Sequence, residues 1–366
     1  MNRAGRSDRY TDGYRSMKIL FGVFDWGIGH AIRDIPLIDE LLKDNEVHII
    51  STGRALKIVR DHFKDRCLYY DVPSVHPPYT KTRFFKVKFT LLGLTMLRSL
   101  SDARKSSQEI VGRGFDKVIS DCRYDVYDTP QNSYLINHQL RFKTPFGAER
   151  VFEKWLASRM KRYRYILVPD FEQKSLSVRL SHDLRYLQAD KIKYIGILSH
   201  ISKLDVPEDI EYFVSLSGPE IQRKRLEDKI ISQLDQLEGK IVIAGGNPES
   251  DSNRVYEKFE CYGFLGAKQQ ENFMNRAKFV VARAGYTTVM ELVELNKKRV
   301  LLLPTPGQPE QEYLADYYEK KKYFHHVSQY RLKLRDDIEK SKQFEGFDPP
   351  WKTQESVKRF MQVINS

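Results

Sequence analysis

The sequence predicts an α/β fold built from two Rossmann-like domains, and three observations support this class. Short runs of β-branched residues alternate with segments of helical spacing, which is typical of βαβ units on a parallel sheet. The alternation occurs as two separate series along the chain. The length of 366 residues suits two domains, because single domains commonly hold about 100–200 residues.

The first series begins with the apolar run KILFGVF at residues 18–24. Five further predicted strands follow it, at residues 47–50, 117–120, 134–137, 165–168 and 194–198. Together they predict an N-terminal Rossmann-like domain over residues 17–200.

The second series predicts a C-terminal domain over residues 211–345, with strands at 211–216, 240–244, 279–282 and 299–304. The polar stretch Ser199–Ile210, which contains Pro207, separates the two series and marks the domain boundary. Helical spacing returns near the end, so residues 346–366 are expected to form a closing helix that packs back across the domains.

Composition indicates a globular chain that is neither disordered nor fibrous, since 41% of residues are hydrophobic and 30% are charged. No apolar stretch approaches the roughly 20 residues of a spanning helix, and the first residues lack the apolar core of a secretory signal. We therefore expect a soluble, cytoplasmic protein. The three cysteines, Cys67, Cys122 and Cys261, have neither disulfide nor zinc spacing, and no cofactor or metal is expected.

The formal net charge of +12 suits nucleic acid, an anionic membrane or phosphorylated substrates. An aromatic RNP run is absent from the sequence, so no nucleic-acid partner is expected.

The loop after the first predicted strand reads DWGIGHAIR, from Asp25 to Arg33. Its glycines, Gly27 and Gly29, allow a tight turn, which places His30 at the mouth of the following helix. A ring nitrogen of His30 can there take a proton from an acceptor hydroxyl. The alternative is an ordinary strand-to-helix turn in which His30 is a cap.

The strongest motif is VARAGYTTVME at residues 281–291, followed by LLLPTPGQPEQ at residues 301–311. Gly285 permits close approach to the backbone, and a helix beginning at about Thr287 offers free N–H groups and a positive dipole end to a diphosphate. Glu291 lies one turn along the same helix face, where its carboxylate can accept hydrogen bonds from a ribose diol. A carboxylate in this position is also common on ordinary helix surfaces.

These two motifs resemble the nucleotide-sugar site and the N-terminal glycine-rich loop of glycosyltransferase family 28, which includes the bacterial N-acetylglucosaminyltransferase of peptidoglycan-precursor synthesis. The resemblance implies a GT-B architecture, with two Rossmann-like domains facing a central cleft. It also implies inverting, metal-independent transfer from a UDP-sugar, such as UDP-GlcNAc, to a hydroxyl acceptor that we expect to be lipid-linked.

The resemblance implies roles for individual residues. On the donor side, Gly285 to Thr288 hold the diphosphate, Glu291 binds the ribose, and the backbone at Phe264 and Leu265 reads the uracil. The full donor-binding set is Ser217, Gly218, Phe264, Leu265, Arg283, Gly285, Tyr286, Thr287, Thr288, Glu291, Gln308, Glu310 and Gln311. The last three, which follow the Pro-x-Pro turn, are assigned to the sugar hydroxyls.

On the acceptor side, the resemblance and the strand-end positions assign Gly27, Gly29, Asp121 and His138 to the acceptor site. Asp121 and His138 are equally compatible with caps at strand ends. His30 is the preferred general base. Asp25 is the second candidate, since a carboxylate in the same loop can act directly or orient the imidazole.

Residues 81–105 form a basic segment with interleaved aromatic residues. Seven lysines and arginines face a single acidic residue, Asp102, and Phe84, Phe85 and Phe89 lie among them. This mixture suits an anionic membrane surface near a lipid-borne acceptor, at the inner face of the membrane. The alternative is a core-facing helix with a solvated basic edge.

Two other functions remain open from the sequence. A nucleotide-sugar 2-epimerase shares the fold but needs no acceptor. A non-catalytic membrane- or RNA-binding protein would carry the sugar site without using it.

Overall fold

Two seven-stranded sheets organise the chain in a computed structural model, which describes residues 16–74, 103–141, 149–247 and 253–366. The α/β class predicted from the sequence is confirmed. Most strands are nearly continuous apolar runs, as in Ile19, Leu20 and Phe21, which are fully buried. Such runs are typical of parallel strands covered on both faces.

The first sheet has the strand order β3-β2-β1-β4-β5-β6-β7. Its strands are β1 (Lys18–Gly22), β2 (Glu46–Ser51), β3 (Leu68–Asp71), β4 (Lys117–Asp121), β5 (Ser133–Ile136), β6 (Tyr165–Val168) and β7 (Ile192–Tyr194). Strand β1 pairs in parallel with both β2 and β4, so the direction of strand succession reverses between β1 and β4.

The second sheet repeats this arrangement in the order β10-β11-β9-β8-β12-β13-β14. Its strands are β8 (Ile210–Ser215), β9 (Ile241–Ala244), β10 (Asn253–Val255), β11 (Phe259–Tyr262), β12 (Ala277–Ala282), β13 (Val300–Leu302) and β14 (His325–His326). Only the edge strand β10 is antiparallel to its neighbour among the described pairings. Here the succession reverses between β8 and β12.

Helices connect the strands. They are α1 (Ile28–Leu41), α2 (Gly53–Phe63), α3 (Glu149–Met160), α4 (Glu220–Ile231), α5 (Ala267–Arg276), α6 (Tyr286–Glu294), α7 (Pro309–Lys320), α8 (Leu334–Ser341) and α9 (Thr353–Asn365). Residues 103–111 are also helical. In the described part of the chain, no helix is long and apolar enough to span a membrane.

The sequence predicted most of the strands to within two residues. The run at residues 194–198 forms a strand earlier, at Ile192–Tyr194, and the polar stretch up to Asp209 has no regular structure. The unpredicted strands β3, β10, β11 and β14 have two to four residues each. They are short and lie at or near sheet edges, so a run of apolar residues is not required to form them.

The predicted closing segment 346–366 contains the helix α9, and its packing across the domains stays a prediction. Of the basic segment 81–105, residues 81–102 lie outside the described residues, so its membrane-facing interpretation stays a prediction.

The chain divides into two compact units. Unit 1 comprises Met1–Ile136 and Ser158–Ile166, and unit 2 comprises Asn137–Ala157 and Leu167–Ser366. The functional domain limits at 17–200, 211–345 and 346–366 stay a prediction.

Candidate active site

Each sheet has a switch point, where neighbouring strands lead to connections on opposite sides and leave a crevice beyond their carboxyl ends. In the first sheet, β1 and β4 flank this point. His30 lies in the first turn of the helix that follows β1, and Asp121 is the last residue of β4. In the second sheet, β8 and β12 flank it, followed by Ser217 and Gly285 respectively. The topology therefore selects the two regions that the sequence motifs indicated.

Helix α1 begins immediately after Gly27, whose backbone conformation requires a glycine. Gly27 has φ 91° and ψ 166°, a region that residues with a side chain rarely adopt, and helix α1 starts at Ile28. His30 therefore lies in the first turn. The ring of Phe24 packs edge-on against the imidazole with centroids 5.1 Å apart, which restricts the orientation of His30.

His30 contacts the buried carboxylate of Asp121. The Nδ1 atom of His30 lies 2.7 Å from Oδ2 of Asp121, and the His30 side chain is 17% exposed. Arg33, one turn further along α1, donates to both oxygens of the same carboxylate through Nε and Nη2. Asp121 thus joins a partly exposed imidazole to a fully buried guanidinium.

These contacts determine the charge of Asp121. Burial alone would raise the pKa of Asp121, but the charge of Arg33, together with His30, outweighs it and holds the pKa below its usual range. The Asp121 carboxylate is therefore ionised at neutral pH. It favours the His30 tautomer with the proton on Nδ1, which leaves the lone pair on Nε2.

Asp34 is a second buried carboxyl group beside this pair. It follows Arg33 on α1 and lies four residues, or about one turn, beyond His30. Both of its oxygens are buried without a hydrogen-bond partner in the described part of the chain. Burial and the neighbouring charge of Asp121 raise the pKa of Asp34 well above its ordinary value.

The other candidate base, Asp25, is oriented differently. Its Oδ1 accepts a hydrogen bond from the hydroxyl of Ser74. Asp121, which the sequence assigned to the acceptor side, contributes a carboxylate that contacts His30.

His30, Asp121 and Cys122 place one potential metal ligand each within 4.8 Å of one another. The set fits a metal poorly for two reasons. Arg33 already binds both oxygens of Asp121, and burial raises the pKa of the Cys122 thiol well above its ordinary value, which disfavours the thiolate that binds metals.

In the second sheet, most of the predicted donor residues follow three adjacent strands, β8, β12 and β13, whereas Phe264 and Leu265 follow β11. Ser217 and Gly218 are exposed after β8, and Gly218 has φ 99°. Gly285 is the N-cap of α6 and has no side chain to satisfy the first N–H groups of that helix. Thr287 and Thr288 are half-buried in the same turn.

Arg283 is a buried residue that donates hydrogen bonds to the backbone of these loops. It is 1% exposed, and its guanidinium donates to the carbonyl oxygens of Ser217, Gln222, Leu303 and Pro304 at 3.1–3.4 Å. These contacts occupy the guanidinium, and the direct donor contact that the resemblance implied for Arg283 stays a prediction. Arg283 ties together the loops that follow β8 and β13.

The loop after β13 is fixed by glutamine side chains. Oε1 of Gln311 accepts from the backbone N–H of Thr305 at 2.9 Å, and Nε2 of Gln311 donates to Oε1 of Gln308 at 2.5 Å. Gln308 is the N-cap of α7, and Pro309 follows it as the first residue of the helix. Both glutamines are thus held at the start of α7.

Glu291 and the proposed uracil contacts have different environments. Glu291 is nearly fully buried, and its Oε1 lies 3.3 Å from Nδ1 of His200. Phe264 is 40% exposed after β11, whereas Leu265 is buried.

The structure also joins two residues that the sequence assigned to different sites. Nε2 of His138 lies 2.8 Å from Oε1 of Glu310. The His138 ring stacks on Tyr286, with centroids 4.3 Å apart and an angle of 3° between the rings.

Sequence reasoning did not single out Arg33, Asp34 and His200. The spacing of Arg33 and Asp34, three and four residues after His30, was a detectable signal, because such positions share a helix face. His200 lies in a polar connection, and no periodicity distinguishes it there.

Comparisons with family models match two parts of the chain. Residues 17–126 match the model described as glycosyl transferase family 1, and residues 221–363 match the glycosyltransferase family 28 C-terminal domain. The family 28 resemblance of the C-terminal motifs is confirmed. The comparison with curated proteins finds no match.

Solved structures share the fold at low identity. The glycotransferase of kitacinnamycin is 12% identical, with a TM-score of 0.63 over 96% of this chain and 98% of that one. Acinetobacter baumannii MurG is 12% identical, with a TM-score of 0.53 over 95% and 99% of the two chains. A UDP-N-acetylglucosamine 2-epimerase is 14% identical, with a TM-score of 0.54 over 96% of both.

The likeness to these structures establishes the fold, and the two family models extend it to the class of enzyme. Together they identify the chain as a glycosyltransferase with the GT-B fold.

Proposed function

We propose that this glycosyltransferase is an inverting enzyme that moves a sugar from a UDP-sugar, UDP-GlcNAc or a close relative, to a hydroxyl group without a bound metal. The observation that carries the proposal is the pair formed by His30 and Asp121 at the switch point of the first sheet, with Nδ1 and Oδ2 2.7 Å apart. An imidazole held in this way is suited to act as a general base.

In the proposed step, Nε2 of His30 takes the proton of the acceptor hydroxyl. The acceptor oxygen forms a bond to the anomeric carbon. The bond from that carbon to the diphosphate oxygen breaks, and UDP leaves with the electron pair of that bond. Asp121 stabilises the imidazolium that results. Attack from the face opposite the leaving group inverts the anomeric centre. Asp25 is the alternative base.

The donor half of the proposal is supported by the loops of the second sheet. The open first turn of α6 and the Ser217–Gly218 loop offer N–H groups to the diphosphate, whose growing negative charge the helix dipole stabilises. This supply of positive potential supports transfer without a metal. Glu291 is proposed to bind the ribose, and Gln308, Glu310 and Gln311 the sugar. The segment at Phe264 and Leu265 is proposed to bind the uracil.

A lipid-linked acceptor at the inner face of a membrane is the finer part of the proposal, and the sequence of the basic segment 81–105 supports it. Lysines and arginines near an anionic surface each contribute about 1 kcal/mol. Replacing Lys81, Arg83, Lys86 and Lys88 with glutamine is expected to reduce co-sedimentation with anionic vesicles and to leave UDP affinity unchanged. Equal sedimentation of parent and variant would remove the support for a membrane-borne acceptor.

A nucleotide-sugar 2-epimerase is the second candidate, because a protein of that name shares the fold with a TM-score of 0.54. The two functions differ in their need for an acceptor. Conversion of UDP-GlcNAc to its 2-epimer without an acceptor would favour the epimerase.

Thermal unfolding with UDP, UDP-GlcNAc, UDP-glucose and a non-uridine nucleotide sugar tests the donor. A ligand at one hundred times its Kd adds about 2.7 kcal/mol of stability, so a bound uridine nucleotide is expected to raise the Tm by several degrees. Stabilisation by the non-uridine sugar alone would contradict the proposal.

A further inference from the structure

The pairing of His138 with Glu310 belongs to none of the roles assigned so far. His138 follows β5, and its side chain is 9% exposed, whereas that of Glu310 is 29% exposed. The histidine is therefore largely enclosed, while its carboxylate partner remains accessible to a ligand. Both residues belong to unit 2.

The environment of His138 fixes its ring in two ways. Tyr286 stacks almost parallel against the imidazole, and the hydroxyl of Tyr286 itself donates to the carbonyl of Pro169 at 2.8 Å. The edge of the ring then points Nε2 at Oε1 of Glu310, 2.8 Å away. A stacked ring has little rotational freedom, so the hydrogen bond has a defined direction.

The positions of the two partners give this contact a functional meaning. Tyr286 is the first residue of α6, and Glu310 lies in the first turn of α7. The starts of both helices carry the residues proposed to bind the diphosphate and the sugar. His138 thus connects the first turns of the two donor-binding helices.

We infer that His138 is a positioning residue for the sugar of the donor, and this inference rests on the proposed function of the same site. Nε2 of His138 donates to Glu310 and holds the carboxylate where it accepts a hydrogen bond from a sugar hydroxyl. A carboxylate has about four lone-pair sites, so it can accept from the imidazole and from the sugar together. Through Glu310, His138 affects the sugar and leaves the nucleotide alone.

The inference predicts separate effects on UDP-sugar and on UDP. His138→Phe keeps a ring that can stack on Tyr286 but removes the donor to Glu310. We expect it to weaken binding of UDP-GlcNAc, or of whichever tested UDP-sugar the parent binds best, by about tenfold, while UDP affinity stays within about twofold. His138→Gln retains an N–H donor and is expected to recover part of the loss.

A second histidine–glutamate contact, whose glutamate also lies on α7, provides a matched control. His325 is also largely buried, and its Nδ1 lies 2.9 Å from Oε2 of Glu319 near the other end of α7. His325→Phe removes a histidine–glutamate contact of the same kind far along the helix from Glu310. It is expected to leave the ratio of UDP-sugar to UDP affinity unchanged.

Calorimetric titration of parent, His138→Phe, His138→Gln, Glu310→Gln and the double variant of 138 and 310 completes the test. Loss of sugar affinity in both single variants, with no further loss in the double variant, supports the inference, since coupled residues are not additive. An unchanged ratio in folded His138→Phe, or an equal loss for His325→Phe, overturns it while the proposed function stands. A parent that binds neither UDP nor any UDP-sugar overturns both.

If His138→Phe does not fold, the comparison of His138→Gln with Glu310→Gln decides. A partial loss of UDP-sugar affinity in His138→Gln is then expected, together with a larger loss in Glu310→Gln, and UDP-sugar affinity of His138→Gln equal to that of the parent would overturn the inference. Loss of UDP affinity to the same extent as UDP-sugar affinity in either variant would contradict a role confined to the sugar.

Discussion

Two buried arginines, one at each candidate site, differ in the groups that surround their charge. Arg33 and Arg283 are each 1% exposed. Burial would lower the pKa of Arg33, but the carboxylate of Asp121 outweighs it and raises this pKa. Burial lowers the pKa of Arg283 to about 10. Its hydrogen-bond acceptors in the described residues are carbonyl oxygens.

The contrast separates two ways of building a site. The charge of Arg33 is neutralised locally, which keeps Asp121 ionised to orient His30. Arg283 remains protonated at neutral pH, and no carboxylate contacts it in the described part of the chain. Its charge therefore adds to the positive potential around the first turn of α6, where an anionic diphosphate is proposed to bind.

The largest expected effect tests the site in the first sheet that His30 and Asp121 form. His30→Ala removes the proposed base, and general-base removal typically costs about 10²–10⁴ in rate. Initial rates of sugar transfer should fall by this factor while calorimetric UDP affinity stays constant, because His30 belongs to the other sheet. Asp25→Asn is the comparison variant. Full turnover by His30→Ala together with loss in Asp25→Asn would reverse the two roles.

Asp121→Asn should have the next largest effect, and on stability as well as rate. It leaves the buried guanidinium of Arg33 without its charged partner, and breaking a buried ion pair costs about 3–5 kcal/mol. Urea unfolding at neutral pH measures the loss, which should accompany a lower transfer rate. The exposed carboxylate of Asp61 on α2 provides a control, since Asp61→Asn removes no buried pair. Equal stability of Asp121→Asn and the parent would show that the pair contributes little.

The two sites also differ in how well the sequence predicted them. The donor loops consist of glycines and helix starts within short local motifs. The helix predicted to begin at about Thr287 begins one residue earlier, at Tyr286. The contact between His30 and Asp121 joins positions 91 residues apart. No local pattern encodes such a pairing, although the order of strands brings both residues to one switch point.

Other side-chain contacts were also not predicted, because they too depend on how the chain packs. Arg283 stands in the right motif, but only the packed structure shows that its guanidinium faces carbonyl oxygens. His138 and Glu310 were both recognised, in separate roles, and their contact depends on the packing of unit 2. The positions of these residues at strand ends could thus be predicted from the sequence, whereas the hydrogen-bond partners of their side chains could not.

Glu291→Ala tests the donor site with an intermediate effect. Loss of the carboxylate leaves the ribose diol without its proposed acceptor, and a hydrogen bond to a charged group contributes about 1.5–3 kcal/mol. Calorimetric UDP affinity should therefore fall by about ten- to hundredfold. Because Glu291 also lies 3.3 Å from His200, His200→Ala is the informative comparison. The same loss of UDP affinity in His200→Ala would indicate that the pair, rather than a ribose contact, is responsible.

The last prediction concerns Asp34, for which the expected change in stability has the opposite sign to that for Asp121. Its raised pKa means that the folded protein keeps a proton which unfolded Asp releases above about pH 3.9. The folded state then binds more protons than the unfolded state, so this group lowers the free energy of unfolding as the pH rises from about 4 toward its folded pKa.

Asp34→Asn abolishes that titration while keeping the shape of the side chain. The variant should therefore gain stability relative to the parent between pH 4.5 and 7.5, by about 1.4 kcal/mol for each unit of pKa shift that is removed. Parallel urea titrations over this range, with Asp61→Asn as the exposed control, measure the difference. A constant gap between Asp34→Asn and the parent over this range would show that the folded protein does not retain the Asp34 proton above pH 4.5, and would contradict the prediction.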